Sequence, residues 1–389
     1  MNERKYKYKM KYRDLGKTGL KVSEIGLGAE WLERHSKDET IEVINHCENK
    51  GINILDCWMA EPNVRTNIGY AIKGKRDKWI IQGHIGSTWQ NGQYVRTRDL
   101  NKVKPAFEDL LIRLQTTYID LGMIHFVDES KEFDEIMNGE FFQYVQELKN
   151  KKIIHHIGIS THNPLVAKKA ALSGIIEVIL FSINPAFDVL PPTENISDYF
   201  VESYDEQHKG IAPERAELYK ICEENQVAIT VMKGYAGGRL FKVETSPFGV
   251  ALTAIQCLHY ALTRPSVASI MVGFDTIQQV DEAVAYEKAT LEEKDYSVIL
   301  AKAPRHSYYG QCTYCGHCAP CPKGIDIAMV NKYYDLASMH EDIPATLNEH
   351  YKNLSANASH CIECGACETR CPFGVKIIDK MQKAITIFK

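Results

Sequence analysis

The sequence has no apolar run long enough to cross a membrane and no apolar segment behind its start, Met-Asn-Glu-Arg-Lys. We therefore expect no transmembrane helix and no secretory signal peptide, and a location in the cytoplasm. The sequence also lacks an excess of basic charge, because 46 Lys and Arg stand against 50 Asp and Glu and the net charge at pH 7 is −4. These absences argue against a nucleic acid or a membrane as a partner.

Hydrophobic residues make up 44% of the 389 residues and charged residues 25%. This composition is typical of a globular protein, and the length allows one large domain and a smaller one. The 12 cysteines would indicate disulfides in a secreted protein, but eight of them fall in two short runs. The other four lie scattered in apolar surroundings, and we predict that they are reduced, buried thiols: Cys47, Cys57, Cys222 and Cys257.

The two cysteine runs have the spacing of iron–sulfur ligands. Each has three cysteines separated by two residues and then a Cys-Pro pair, Cys321-Pro322 or Cys371-Pro372. Three such thiolates can bind three irons of a [4Fe-4S] cluster, and in two-cluster ferredoxins the cysteine before the proline binds the other cluster. The last spacing of the first run is two residues instead of three, which departs from this pattern. We predict two [4Fe-4S] clusters, one held by Cys312, Cys315, Cys318 and Cys371, the other by Cys361, Cys364, Cys367 and Cys321.

Zinc is the alternative for these cysteines, since paired CxxC motifs also build tetrahedral zinc sites. A zinc ion needs four ligands and usually pairs two CxxC motifs. Two cysteine triples, each followed by Cys-Pro, fit cubane clusters better. Two neighbouring clusters indicate electron transfer, because a structural cross-link would need only one. We therefore expect a redox partner such as a ferredoxin or a flavodoxin.

Upstream of the cysteine runs, short apolar strands alternate with amphipathic helical segments. Strands are predicted at residues 24–29, 52–57, 79–85, 119–126, 153–160, 178–184, 228–233 and 269–274. Helices are predicted at residues 37–49, 64–73, 97–114, 132–150, 164–173, 213–225, 247–263 and 277–288. Eight strand–helix units predict an α/β fold of the (β/α)8 TIM-barrel type. We place the barrel in residues 1–300 and a small, mainly helical, ferredoxin-like iron–sulfur domain in residues 301–389.

Five segments of the predicted barrel resemble the aldo-keto reductase superfamily. They are LGKTGLKVS at 15–23, GINILD at 51–56, YIDLGMIH at 118–125, HIGIS at 156–160 and MKGYAGGRL at 232–240. The resemblance spreads over residues 13–290, and members fused to a two-cluster ferredoxin resemble the entire chain. It implies an oxidoreductase that acts on a small-molecule substrate at the mouth of the barrel.

The resemblance also implies a catalytic site of Asp, Tyr, Lys and His. Asp56 and His125 stand at the Asp and His positions, whereas Glu61 stands at the Tyr position and His84 at the Lys position. We predict these four residues as catalytic. Glu61 would act as the general acid if burial or Asp56 raised its pKa, and His84 would pass a proton to the substrate. The structural alternatives are a helix cap for Asp56, a solvated loop position for Glu61 and a core histidine for His84.

The nicotinamide site implied by the resemblance is altered. Ser160-Thr161 replaces a Ser-Asn pair, Leu180 replaces a Gln and Ile183 replaces a stacking Tyr. Asp275 lies where the adenosine phosphate would bind, and its charge would repel a 2′-phosphate. NADH, NADPH, a flavin or no organic cofactor therefore remain open. The cofactor-binding residues that we predict are Ser160, Asn184, Lys233 and Gly273.

The preferred hypothesis is an iron–sulfur oxidoreductase of aldo-keto reductase type. It would reduce or oxidise a small organic substrate of carbonyl type, with electrons passed through the two clusters. One alternative is an ordinary NAD(P)H-dependent aldo-keto reductase with structural or regulatory clusters. The other is a non-catalytic scaffold for electron transfer.

Overall fold

The computed structural model describes residues 9–202, 204, 210–302, 308, 310–339 and 342–389. The remaining short stretches, which fall in both predicted domains, lie outside the described residues. The chain divides into two compact units. The first comprises residues 1–182, 227–232 and 268–288, and the second comprises residues 183–226, 233–267 and 289–389.

Twelve strands occur in the described ranges. They are β1 Tyr12–Asp14, β2 Lys21–Ser23, β3 Ile25–Gly28, β4 Ile54–Cys57, β5 Ile80–Ile85, β6 Ser87–Gln90, β7 Gln93–Arg96, β8 Ile119–Ile124, β9 Ile154–Thr161, β10 Val178–Ser182, β11 Ala228–Met232 and β12 Val267–Gly273. Eight of them close into a barrel in the order β3-β4-β5-β8-β9-β10-β11-β12. The paired barrel strands run parallel, and each overlaps one of the predicted strand segments. The predicted TIM barrel is therefore confirmed.

Helices alternate with the barrel strands along the chain. They are α1 Lys37–Asn49, α2 Pro62–Ile72, α3 Leu100–Arg113, α4 Ser130–Asn138, α5 Glu140–Asn150, α6 Pro164–Leu172, α7 Pro213–Glu224, α8 Ala254–Leu262 and α9 Ile277–Val284. Side-chain caps define where several of these helices begin. Ser36 forms a capping box with Glu39 at the start of α1, and Asn163 accepts a hydrogen bond from the N–H of Leu165 at the start of α6. The helix predicted at 132–150 is two helices, because Gly139 has an extended backbone between α4 and α5.

A β-hairpin of β6 and β7 directly follows β5. It is absent from the predicted elements, and the helix predicted from residue 97 begins only at Leu100. The turn is Asn91-Gly92, and both residues have positive φ, 51° and 76°. A tight hairpin turn with both central residues in this region favours an Asn-Gly pair. That pair was thus a sequence signal for the hairpin.

The C-terminal part of the second unit is mainly helical, as predicted. Its helices are α10 Leu291–Lys294, α11 Ser297–Lys302, α12 Ile327–Ala337, α13 Ala345–Lys352, α14 Ala366–Arg370 and α15 Ile377–Ile387. α12 packs against α15, with Val330 and Met381 buried. None of the helices in the described ranges is long and apolar enough to cross a membrane.

A buried polar network joins distant parts of the second unit. The Asp188 carboxylate is fully buried and accepts hydrogen bonds from Arg215 at 3.1 Å, Tyr219 at 2.8 Å and Tyr260 at 2.9 Å. The hydroxyl of Tyr308 lies 3.2 Å from that of Tyr260. These contacts connect the segment after β10 with α7, α8 and the chain that precedes the first cysteine run.

We expect Gly69→Ala to destabilise the first unit. A Cβ placed on Gly69, in α2, would lie 2.0 Å from the carbonyl oxygen of Arg113 at the end of α3. The better helix propensity of Ala gains about 1 kcal/mol, but overpacking against a backbone atom costs about 3 kcal/mol. Anaerobic thermal melts followed by circular dichroism should therefore show a lower Tm than for wild type. The exposed Asn63→Ala, in the same helix, is the control, and an unchanged Tm for Gly69→Ala would contradict this packing.

Candidate active site

Three of the four predicted catalytic residues lie together at one end of the barrel. Asp56 belongs to β4, His84 to β5, and His125 directly follows β8. These strands are neighbours, and because they run parallel their C-terminal ends lie side by side. The three side chains are buried, with exposures of 3%, 2% and 4%.

These residues and Tyr94 form one continuous chain of hydrogen bonds. His84 Nε2 lies 2.9 Å from Asp56 Oδ1, and His84 Nδ1 lies 2.8 Å from His125 Nδ1. His125 Nε2 lies 2.6 Å from the hydroxyl of Tyr94. We call Asp56, His84, His125 and Tyr94 the Asp56–Tyr94 chain.

Gln82 identifies Asp56 as the accepting end of this chain. Gln82 Nε2 donates to Asp56 Oδ1 at 2.8 Å, while Gln82 Oε1 accepts from the hydroxyl of Thr230 at 2.8 Å. A carboxylate oxygen that accepts from Gln82 also accepts from His84 Nε2–H. With both imidazoles neutral, His84 Nδ1 then accepts from His125 Nδ1–H, and His125 Nε2 accepts from Tyr94. Every hydrogen bond of the chain thus points from Tyr94 toward Asp56.

His125 is neutral at pH 7 in this environment. Burial lowers the pKa of His125 well below its usual value, because a charged imidazole loses its hydration. Repulsion by the guanidinium groups of Arg98 and Arg96 lowers it further. A neutral His125 can accept the Tyr94 proton at Nε2.

Tyr94 comes from the β6–β7 hairpin and is not among the predicted site residues. The hairpin is anchored by two arginines at the end of β7 and beyond it. Arg98 donates to the carbonyl of His125 at 2.7 Å and to Glu132 at 3.0 Å, and Arg96 donates to the carbonyl of Phe126 at 2.8 Å. Burial raises the pKa of Tyr94 while the two arginine cations oppose this rise. Tyr94 is therefore held protonated, beside two positive charges.

Trp58 packs against both rings at the open end of the chain. Its ring is stacked on His125, with centroids 5.8 Å apart and an interplanar angle of 10°. It meets Tyr94 edge to face at 5.3 Å. The carbonyl of Trp58 accepts from the hydroxyl of Ser87 at 2.6 Å, which ties this residue to β6. Trp58 therefore restricts the positions of His125 and Tyr94.

Glu61, the predicted proton donor, is a helix cap. Its Oε2 accepts from the backbone N–H of Val64 at 2.7 Å, at the first turn of α2. Within the described residues, no hydrogen bond or ion pair joins Glu61 to Asp56, His84 or His125. The free N–H groups at a helix start attract a carboxylate. The fourth side chain hydrogen-bonded to this group of residues is Tyr94, not Glu61.

The predicted cofactor residues make mostly backbone contacts. Ser160, in β9, accepts from the N–H of Phe126 at 2.7 Å. Gly273, at the end of β12, lies against Trp31, whose Cδ1 would be 2.1 Å from a Cβ on this glycine. Asp275 pairs with His35 at 3.2 Å. A nicotinamide cofactor would therefore meet an indole ring and an aspartate near Gly273.

The other two predicted cofactor residues belong to the second unit. Asn184 donates to the carbonyl of Lys233 at 2.9 Å and accepts from the N–H groups of Ala186 and Phe187, each at 2.9 Å. Asn184 is fully buried. Its amide therefore joins the segments that follow β10 and β11, and its hydrogen bonds are made to the chain itself.

The eight cysteines of the two runs line two cavities. Cys371 faces the cavity of Cys312, Cys315 and Cys318, and Cys321 faces the cavity of Cys361, Cys364 and Cys367. This is the grouping predicted from the sequence, in which the last cysteine of each run serves the cluster of the other run. We call these groups the crossed ligand sets. Four thiols around one space fit a [4Fe-4S] cluster, which takes one cysteine per iron.

Two polar side chains lie at the cavities, Asn331 at the first and Arg370 at the second. Asn331 Nδ2 lies 3.5 Å from Cys312 Sγ, so an N–H donor faces a predicted ligand sulfur. Arg370 donates to the carbonyls of Cys318 at 2.6 Å and Pro320 at 2.7 Å. This guanidinium joins the two cysteine runs and lies beside thiolates whose negative charge it can offset.

The four remaining cysteines are buried and free, as predicted. Burial raises the pKa of the Cys57 thiol to about 12, and it raises the pKa values of Cys47, Cys222 and Cys257 as well. These thiols are therefore protonated and unreactive at neutral pH.

Comparison with known protein families gives two matches along the chain. Residues 24–251 match the aldo/keto reductase family, and residues 311–378 match a 4Fe-4S dicluster domain. The chain is 27% identical over 312 residues to an uncharacterized oxidoreductase, YqkF, of Bacillus subtilis, covering 77% of this chain and 98% of that protein. It is 26% identical over 298 residues to L-galactose dehydrogenase of Arabidopsis thaliana, covering 71% of this chain and 88% of that protein.

Solved structures show the same fold. An aldo-keto reductase from Bacillus halodurans, in its holo form, superposes with a TM-score of 0.58 and 24% identity, covering 74% of this chain and 94% of that one. An aldo-keto reductase described as putative from Pseudomonas aeruginosa gives a TM-score of 0.55 and 20% identity, with 71% and 94% covered. At this identity the similarity supports the barrel fold alone.

We expect pairs of cysteine substitutions to reveal the crossed ligand sets. Cys312→Ala with Cys371→Ala should lose one cluster, because both residues serve the same cavity, and should keep about half of the wild-type iron. Cys312→Ala with Cys321→Ala should lose nearly all of it, because each cavity loses a ligand. Iron and acid-labile sulfide per chain measure this, with the buried Cys257→Ala as control. The opposite result for the two pairs would contradict crossed ligation.

We expect His125 to stay neutral down to acidic pH. A protonated imidazole quenches a stacked indole, so Trp58 fluorescence should stay constant over the pH range in which an ordinary histidine titrates and fall only at lower pH. Removing the cation in Arg96→Gln should raise the pKa of His125 and move the fall to higher pH. The difference between wild type and Trp58→Phe in a fluorescence titration isolates this signal. A fall centred near the ordinary histidine pKa would contradict the depressed value.

Proposed function

Since this chain belongs to the aldo/keto reductase family, we propose that it is an iron–sulfur oxidoreductase that acts on a small organic substrate. The substrate is of carbonyl type or the corresponding alcohol, and it reacts at the C-terminal end of the barrel. Electrons pass through two [4Fe-4S] clusters to or from a redox partner such as a ferredoxin or a flavodoxin. The chain is divided near residue 300 into the barrel and the cluster domain, and its free, reduced cysteines support a cytoplasmic location.

The observation that carries this proposal is the Asp56–Tyr94 chain. It lies at the barrel end where enzymes of this fold hold their reacting groups. A buried carboxylate and two imidazoles joined by hydrogen bonds are suited to moving a proton, and carbonyl reduction consumes protons as well as electrons. We propose Asp56, His84 and His125 as parts of the proton-handling site, and we do not assign Glu61 a catalytic role.

The two cysteine cavities supply the redox part of the proposal. Each bound cluster exchanges one electron at a time, so the pair can supply the two electrons that, with two protons, convert a carbonyl to an alcohol. The thiolates of the crossed ligand sets hold the clusters. Asn331 places an N–H donor beside the first cavity and Arg370 places a positive charge beside the second, and such groups adjust a cluster's reduction potential.

A nicotinamide-dependent reductase is the second candidate, because members of the family usually use NAD(P)H. In that case the clusters are structural or regulatory. The contact of Trp31 with Gly273 and the Asp275 charge favour the cluster-dependent reaction over this one.

A comparison of electron donors tests the proposal. The anaerobically purified full chain should reduce members of a panel of small aldehydes and ketones with reduced methyl viologen as donor. His84→Gln should lower turnover by about 100-fold or more, because general acid–base catalysis contributes this much. Cys312→Ala with Cys361→Ala should abolish turnover, and Cys257→Ala should not. Full NADPH-dependent turnover in the variant without clusters would refute the proposal in favour of the second candidate.

A further inference from the structure

We propose that Tyr94 exchanges a proton with the substrate and that Asp56 gains or loses a proton at the other end of the Asp56–Tyr94 chain. The inference rests on the proposed function in one respect, because it requires a substrate with a hydroxyl or carbonyl oxygen. It assigns the proton donor to the β6–β7 hairpin, whereas the position of the family's tyrosine is occupied by Glu61.

Exposure singles out Tyr94 within the chain. Asp56, His84 and His125 are 3%, 2% and 4% exposed, whereas Tyr94 is only partly buried. His125 Nε2, the nitrogen at the open side, is already occupied by the Tyr94 hydroxyl at 2.6 Å. A substrate oxygen therefore meets the chain at Tyr94, and His125 acts behind it.

The direction of the hydrogen bonds defines the transfer. When a substrate hydroxyl gives its proton to the Tyr94 oxygen, the Tyr94 proton moves to His125 Nε2. The Nδ1 proton of His125 moves to His84 Nδ1, and the Nε2 proton of His84 moves to Asp56 Oδ1. Four O–H or N–H bonds break and four form, and no electron moves. The reverse sequence delivers a proton to a carbonyl oxygen that is being reduced.

This transfer avoids a charged imidazole in the buried site. Both His84 and His125 are neutral before and after it, and they differ only in which nitrogen carries the hydrogen. Burial opposes an imidazolium at His125, as its lowered pKa indicates. The negative charge moves from Asp56 to the substrate oxygen. Arg96 and Arg98, whose charges favour the ionised form of Tyr94, lie on the side to which it moves.

The positions of the histidine hydrogens give a test that needs no substrate. In the anaerobically purified full chain with ¹⁵N-labelled histidine, long-range ¹H–¹⁵N correlation spectra at neutral pH should show His84 protonated on Nε2 and His125 on Nδ1. Substitutions of each histidine by Gln assign the signals. In Tyr94→Phe both hydrogens should stay in place, and only the His125 Nε2 signal should move toward that of a free imidazole nitrogen. A His125 proton on Nε2 in the wild type would overturn the proposal.

Turnover of the same panel with reduced methyl viologen gives the second test. Tyr94→Phe should lower kcat by about 100-fold or more with a much smaller change in KM. The exposed Tyr70→Phe is the matched control and should retain wild-type kcat. Iron content and Tm should match wild type in both variants. The assignment would be overturned if Tyr94→Phe kept at least half of the wild-type kcat. It would also be overturned if Glu61→Gln lowered kcat about 100-fold while Tyr94→Phe did not.

The two tests separate this inference from the proposed function. If the wild type turns over no member of the panel, the proposed function fails for these substrates. The positions of the histidine hydrogens then test the direction of the Asp56–Tyr94 chain by themselves. If turnover occurs but Tyr94→Phe retains it, the proposed function stands and the inference about Tyr94 fails.

Discussion

The buried carboxylate of Asp56 determines the state of every group at the end of the barrel. A charge removed from water is tolerated only where hydrogen-bond donors surround it, and here Gln82 and His84 supply them. Once Asp56 accepts from His84, the remaining hydrogens have only one arrangement with both imidazoles neutral. The direction of the whole chain up to Tyr94 follows from this single charge.

The site also depends on the hairpin between β5 and α3. The β6–β7 hairpin brings Tyr94 to His125, which is 31 residues further along the chain. Arg98 holds the base of the hairpin to the carbonyl of His125 and to Glu132, and Trp58 packs on its inner side. A tyrosine from this hairpin thus lies beside His125 at the end of a barrel of this family.

The second unit shows the same use of a buried carboxylate. Asp188, surrounded by Arg215 and two tyrosines, joins α7 and α8 to the chain before the first cysteine run. Arg264, also fully buried, donates to the carbonyl of Thr313 inside that run. The helices α7 and α8 therefore belong to the same compact unit as the cysteine cavities. This compact unit includes residues 183–226 and 233–267 together with residues 289–389.

The sequence alone was sufficient for the barrel, the helical cluster domain and the spacing of the eight cysteines. Each of these depends on local patterns: apolar periodicity, helix caps and short motifs. It also predicted that Asp56, His84 and His125 lie at one end of the barrel, since their strand ends meet in any parallel barrel. Only the tertiary structure decided that Glu61 caps α2 and that Tyr94 completes the chain. The Glu61 cap is a contact over three residues, and the pattern alone did not distinguish a cap from a group that faces the barrel mouth. The contact of Tyr94 with His125 joins residues 31 apart in sequence, and such a contact leaves no local pattern to recognise.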